Sequence, residues 1–220
     1  MPAFPVAPRV RACLLACLAL AAPTAAWAQT YSNNTAVPIA DVACFTRTIN
    51  VPVALVVADL NVQVDITHTY RGDLDITLTS PLGTAINLTS DNGGTANNLR
   101  VLFDDAAATP IVGDNTNHAA IVQRRPEAVL SAINGQNAAG LWSMQVCDDQ
   151  AIDVGTLTGW SLVFTAASAN VAMTKTNTPG VNGNVDQAAD AVNEGGTTVY
   201  TLAVSNGGPQ GANGAILQDT

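Results

Sequence analysis

The sequence predicts an all-β protein, and three observations carry that expectation. Thr, Val, Asn, Asp and Gly are abundant whereas lysine occurs once, at Lys175. Short apolar runs are separated by residues that favour turns. Several runs alternate strictly between apolar and polar, the period of two that places successive side chains on opposite faces of a strand. Helical spacing is scarce, and no tract is biased enough to read as disordered.

The first residues set the compartment. Arg9 and Arg11 precede an apolar run at 12–22, and Ala26-Trp27-Ala28 places small residues at alternate positions, so 1–28 reads as a secretory signal cleaved after Ala28. That run falls short of the about 20 residues a spanning helix needs, and no later segment qualifies. The expectation is an exported protein, secreted or held at the cell surface, without a membrane span. A competing reading makes Cys17, after Leu14-Leu15-Ala16, a lipid-modified first residue; its very short apolar run counts against it. Cleavage removes two basic residues and no acidic ones, moving the formal charge from -9 to 6 - 17 = -11. Such a surface repels nucleic acid and anionic lipid, so no nucleic-acid partner is expected, and it favours cations, calcium first among them outside cells. Cleavage also removes Cys13 and Cys17, leaving Cys44 and Cys147. In an oxidising compartment two cysteines most simply form one disulfide, since zinc sites usually need four ligands.

The elements follow from alternation. Leu60, Val62, Val64 and Ile66 share one parity and Asn61, Gln63, Asp65 and Thr67 the other, which predicts a strand with one wet face; His68 and Tyr70 continue the inward parity. Arg71-Gly72-Asp73 then makes a turn, as in a hairpin, and Leu74, Ile76 and Leu78 alternate with Asp75, Thr77 and Thr79 in a second strand. Ser80-Pro81-Leu82-Gly83 makes the next turn and "TAINLTS" a third strand. Small residues at 166–170 mark a composition shift, after which a second set of β signals begins.

Groups that look reactive have structural readings here. His68, at the inner end of a strand, reads as a hydrogen-bonded packing residue rather than a general base: Gly-x-Ser-x-Gly is absent, and Ser80 precedes a proline in a turn. His118 lies in a polar loop and reads as solvated. Arg71-Gly72-Asp73 is also the tripeptide of adhesion ligands, yet its glycine is wanted by the turn.

"HTYRGDLDITLTSPLGT" at 68–84 resembles the signature of the P domain, or Homo B domain, which follows the catalytic domain in kexin-like and furin-like proprotein convertases and in many bacterial subtilisin-like proteases. "VLFDDAA" at 101–107 is similar to the family's middle strand and acidic turn. "PEAVLSAINGQNAAGLWSMQVCDDQAIDVGTLTGWSLVF" at 126–164 is similar to its closing half, with Gly140, Trp142, Val146, Asp148, Asp153, Gly155, Leu157, Trp160, Leu162 and Phe164 in the family's order and spacing. The resemblance covers 36–167. It departs at 113–125, a loop that carries the paired Arg124 and Arg125 and lacks the family's usual glycine-rich text.

The resemblance implies a jelly-roll β-sandwich of about eight strands, two sheets about 10 Å apart, with Trp142 and Trp160 as large core residues. It places Cys44 on the first strand and Cys147 on the strand after Gly140, so that their disulfide staples early chain to late. In the protease families this domain packs on the subtilisin-like domain, supports its folding and stability, and does no chemistry. The subtilase Asp, His and Ser blocks occur nowhere in this chain. No catalytic residue and no required cofactor are therefore expected. Calcium is the remaining chemistry: Asp104 and Asp105 in one loop, and Asp148, Asp149 and Asp153 in another, are candidate ligands if both loops meet at one end of the sandwich, although aspartates equally cap turns.

Residues 170–220 read as a different unit. After "VAMTKTNTPG", Tyr200, Leu202 and Val204 share one parity before Asn206-Gly207-Gly208-Pro209 breaks the strand, which is similar to the immunoglobulin-like repeat of bacterial surface proteins. Fifty residues fall short of the roughly 100 of such a sandwich, so an incomplete domain with an exposed edge is expected. Two functions stay open. One is an exported, non-catalytic module of a surface or secreted protein, stabilising it or contacting a cell-surface component. The other is a P domain serving a subtilisin-like serine endopeptidase as a detached or accessory part.

Overall fold

The computed structural model describes residues 28–176, 200–209, 211–212 and 215–216. The signal expected at 1–28 lies, but for Ala28, outside the described residues, as does 177–199 of the expected repeat. Among the described residues, ten strands build the larger unit: β1 (Ala28–Asn33), β2 (Val37–Ile39), β3 (Ala43–Val51), β4 (Val57–His68), β5 (Leu74–Thr79), β6 (Ala85–Thr89), β7 (Leu99–Phe103), β8 (Val122–Arg124), β9 (Gly140–Asp148) and β10 (Gly155–Ala166). They form two sheets. One runs β1-β10-β4-β7-β8, with β2 also on β10; the other runs β3-β9-β5-β6. All pairings are antiparallel except that of β7 with β8.

The alternation read from sequence is the packing pattern. Leu60, Val62, Val64 and Ile66 of β4 and Leu74, Ile76 and Leu78 of β5 are buried in one apolar core with Ile86 and Leu88 of β6. Trp142 on β9 and Phe164 on β10 come from different sheets, and their rings meet at 5.3 Å, so the sheets pack face to face. Trp160 is buried in the same core, and the Trp142 indole N–H donates to the Ala138 carbonyl at 2.8 Å. Apolar burial of this kind is the main favourable term, at about 25 cal/mol per Å².

One expectation about the connections is corrected. β4 and β5 belong to different sheets, so Arg71-Gly72-Asp73 is no hairpin turn; it is a single 3-10 turn that carries the chain across the sandwich. Alternation reports which face of a strand is buried and is silent on its neighbour, which is why the two arrangements look alike in sequence. The turn at 80–83 does join a hairpin, from β5 to β6, with Gly83 at φ 86°.

The disulfide joins Cys44 of β3 to Cys147 of β9, residues directly opposite in register with Cα atoms 4.0 Å apart. Both point to the outer face of the four-stranded sheet, Cys44 exposed and Cys147 half-buried. A second unit holds β11 (Val171–Thr176) paired antiparallel with β12 (Thr201–Asn206). There the Lys175 ammonium sits 4.4 Å from the centre of the Tyr200 ring. Among the described residues no helix is long and apolar enough to cross a membrane.

Candidate functional site

The end of β4 gathers the groups that drew attention in the sequence. His68 is buried; its Nδ1 lies 2.8 Å from the Tyr70 carbonyl oxygen and its Nε2 3.2 Å from Asp148 Oδ2. Each ring nitrogen thus faces a structural acceptor, and no hydroxyl nucleophile is among them. Asp148, the last residue of β9, also accepts from the Gln150 N–H at 3.4 Å. Register explains the placement: His68 pairs with Gly155 of β10, where a β-carbon would collide with the Thr67 carbonyl and the His68 ring. The pairing therefore selects glycine at 155.

Arg71, in the 3-10 turn after β4, is buried in the interior, 1 % exposed. Its Nη1 donates to the Thr116 carbonyl at 2.9 Å, its Nε to the Asn92 carbonyl at 3.3 Å, and its Nη2 to the Asp114 carbonyl. Its backbone N–H donates to the Ala96 carbonyl at 2.7 Å. Gly93, at φ 115°, runs so close to the guanidinium that a β-carbon would strike Nε. Asp73, the acid of the tripeptide, is buried too. An adhesion receptor has no access to either charge.

A buried polar network surrounds the guanidinium. Asp114 accepts from the Thr116 N–H at 3.1 Å and hydroxyl at 2.6 Å and from Arg124 Nε at 2.6 Å, and its Oδ2 lies 2.8 Å from His118 Nε2. Burial pushes the Asp114 carboxyl upward, but the hydrogen bonds from Thr116, His118 and Arg124 outweigh it and hold the group well below the ordinary carboxylate range. His118, read as solvated from its polar neighbours, is instead 1 % exposed, with Nε2 2.7 Å from Arg71 Nη1. Burial, with help from the Arg71 and Arg124 charges, lowers its pKa against the pull of Asp114. Sequence reasoning missed this network because its members come from the crossover turn, the 111–118 loop and β8. The one local signal was the i, i+4 spacing of Asp114 and His118. The segment at 113–125, where the family text fails, supplies Asp114, His118 and Arg124.

The candidate calcium ligands divide between two places. Asp104 and Asp105 follow β7 and sit near Asp59, at the start of β4; burial and then these two charges raise the Asp59 pKa. Asp148 and Asp153 sit at the far end of β4, the first on His68 and the second accepting from the Thr69 hydroxyl at 2.7 Å. The nine-residue advance from Asp59 to His68 separates them by about 30 Å. Asp105 caps the 3-10 turn Leu130–Ile133 by accepting from the Leu130 and Ser131 N–H groups, and Asp104 accepts from the Ala106 N–H. Asp149 is exposed. Among the described residues no three His, Cys, Asp or Glu side chains are arranged to hold a metal ion.

Comparison with known proteins adds identity to the fold. Residues 57–164 match the family model of the proprotein convertase P-domain. The chain is 32 % identical over 107 residues to leupeptin-inactivating enzyme 1 of Streptomyces exfoliatus, an alignment covering 49 % of this chain and 18 % of that protein. The chain thus matches less than a fifth of its curated relative's length. Among solved structures it resembles the serine protease of Aeromonas sobria, with 19 % identity, TM-score 0.44, and 63 % of this chain against 26 % of that one. It also resembles that protease in complex with its chaperone, with 18 % identity, TM-score 0.42, and the same coverage.

Proposed function

With residues 57–164 a proprotein convertase P-domain, we propose that the chain serves extracellular proteolysis without performing it, as an accessory β-sandwich that binds and stabilises a subtilisin-like serine protease domain. The observation that carries this reading is the fate of the reactive-looking groups. His68, Arg71, Asp73, Asp114, His118 and Asp148 are all buried, and the histidines and Arg71 are engaged by backbone carbonyls or by one another. A general base must reach a substrate proton, and these groups are turned inward. The match of residues 57–164 to a domain model named for the proprotein convertases supports the choice of partner. Export is part of the reading, supported by the N-terminal signal pattern and the disulfide.

The surface-protein reading draws on a separate observation: β11 and β12 pair in a unit distinct from the sandwich, with Tyr200 and Val204 about half exposed. In that reading the sandwich is carried outward by immunoglobulin-like repeats. One experiment separates catalysis from service. The purified chain is incubated with casein and with a reagent that labels active serines, then mixed with a subtilisin-like protease whose melting is followed. The proposal expects no label, no cleavage and a higher protease melting temperature; labelling with cleavage would overturn it.

A further inference from the structure

Two exposed β-branched residues stand in the left-handed region that such side chains rarely adopt: Val42 at φ 50° and Ile152 at φ 100°. They are tied to each other. The Asp41 carboxylate accepts the Ile152 N–H at 3.0 Å, which pins the loop after β9 to the turn before β3. Ile152 is 89 % exposed, Val42 61 % and Val154 54 %, so three branched apolar side chains project from one end of the sandwich on a fixed backbone. Apolar side chains held outward at such a conformational expense point to an interaction site.

The surroundings indicate the partner's chemistry. Asp41 and Asp149 are exposed around the knob, Asp153 is half-buried, and Asp73 and Asp148 lie beneath. Burial first, then the charges of Asp148 and Asp153, raise the Asp73 pKa against the opposing charge of His68. Among the described residues no lysine or arginine forms an ion pair with Asp41, Asp73, Asp149 or Asp153. Beside Val154 opens a depression of about 360 Å³ whose polar lining includes Thr67, Thr69, Asn97, Asn98 and Thr156, which offers neutral hydrogen bonds. A second copy would bring like charge to like charge on a chain of net charge -9, and an anionic bilayer is repelled in the same way. Leu82, 69 % exposed at the β5–β6 turn, lies at the opposite end and lacks this setting.

We propose that Val42, Ile152 and Val154 form a docking knob that enters an apolar socket rimmed by Lys and Arg side chains on the protease domain. This assignment deepens the accessory reading and rests on it. Complementary charge at the rim would speed encounter, and the apolar knob would hold the complex.

The test immobilises the full chain and passes over it a subtilisin-like serine protease from the same organism, marked with a fluorescent active-serine reagent. The wild type should retain the protease, less so at high salt. Ile152→Gly should weaken retention tenfold or more while holding or raising the melting temperature, because glycine is at ease at positive φ. Leu82→Asp should bind within twofold of wild type, and Asp149→Asn with Asp153→Asn should flatten the salt dependence. Ile152→Gly binding as tightly as wild type would overturn the knob and leave the accessory reading standing. No retention by the wild type would overturn both. A wild-type dimer in sedimentation that Ile152→Gly dissolves would make this face a self-interface and also overturn the proposal.

Discussion

Reducing the Cys44–Cys147 bridge has an effect whose size follows from the chain. The bond closes a loop with a sequence separation of 103, and the chain-entropy relation gives about 4.7 kcal/mol for a loop of that length, with about 2–4 kcal/mol typical in practice. In the folded protein the two residues stay opposite each other, because β3 and β9 pair in continuous register from Ala43–Asp148 to Val51–Gly140. Reduction should therefore leave the native sheet in place and act on the unfolded chain, which gains freedom. At about 2–4 °C per kcal/mol for a chain of this size, the melting temperature should fall by about 5–15 °C. Urea unfolding followed by the fluorescence of buried Trp142 and Trp160 should also show a steeper slope, since an uncrosslinked chain exposes more surface. The Cys44→Ser, Cys147→Ser double variant should behave like the reduced protein. A melting temperature and slope that ignore reduction, or freely reactive thiols at Cys44 and Cys147 in the oxidised protein, would refute the reasoning.

Other predictions follow from the buried charges. The His118 pKa lies below its ordinary 6.5 in the folded state, so the unfolded chain takes up the proton first. Its contribution is complete above that value and is lost as pH falls from there to the folded value; His118→Gln should remove that slope from a stability-against-pH curve. Asp114, depressed in the folded state, contributes stability above the ordinary carboxylate value of 3.8 and loses it as pH falls through its own lower value; Asp114→Asn should flatten the acid limb. Gly93→Ala adds a side chain at φ 115° against Arg71 and should cost about 2–4 kcal/mol by denaturant titration. Calorimetry with calcium on chelator-treated protein tests the division of the candidate ligands: Asp104→Asn with Asp105→Asn should leave any binding at Asp148, Asp149 and Asp153 unchanged, because the two sets lie at opposite ends of β4; one site lost in both sets of variants would contradict that geometry.

Legibility in the sequence followed the range of each interaction. The faces of β4, β5 and β6 were readable because burial alternates residue by residue, and Trp142 and Trp160 announced themselves by size. The crossover between sheets was not readable: a turn of three residues serves a hairpin or a crossing equally well until the partners of β4 and β5 are known. Parallel β8, three residues long, carries too short a pattern to detect. His118 looked wet because its neighbours are polar, but its burial is decided by Arg71, 47 positions earlier. The same distance effect hid the burial of Arg71 within an apparent turn, since its acceptors lie at 92, 114 and 116.

At the root of this account, the cation at position 71 is an interior strut rather than a recognition or reaction group. Measuring the unfolding free energy of Arg71→Met tests this most directly. The variant removes the buried guanidinium, strands the Asn92 and Thr116 carbonyls and leaves Asp114 with fewer partners. Removing one member of a buried charged network costs about 3–5 kcal/mol, and a loss of that size is expected. Stability within about 1 kcal/mol of wild type would contradict the account, since surface substitutions produce changes that small.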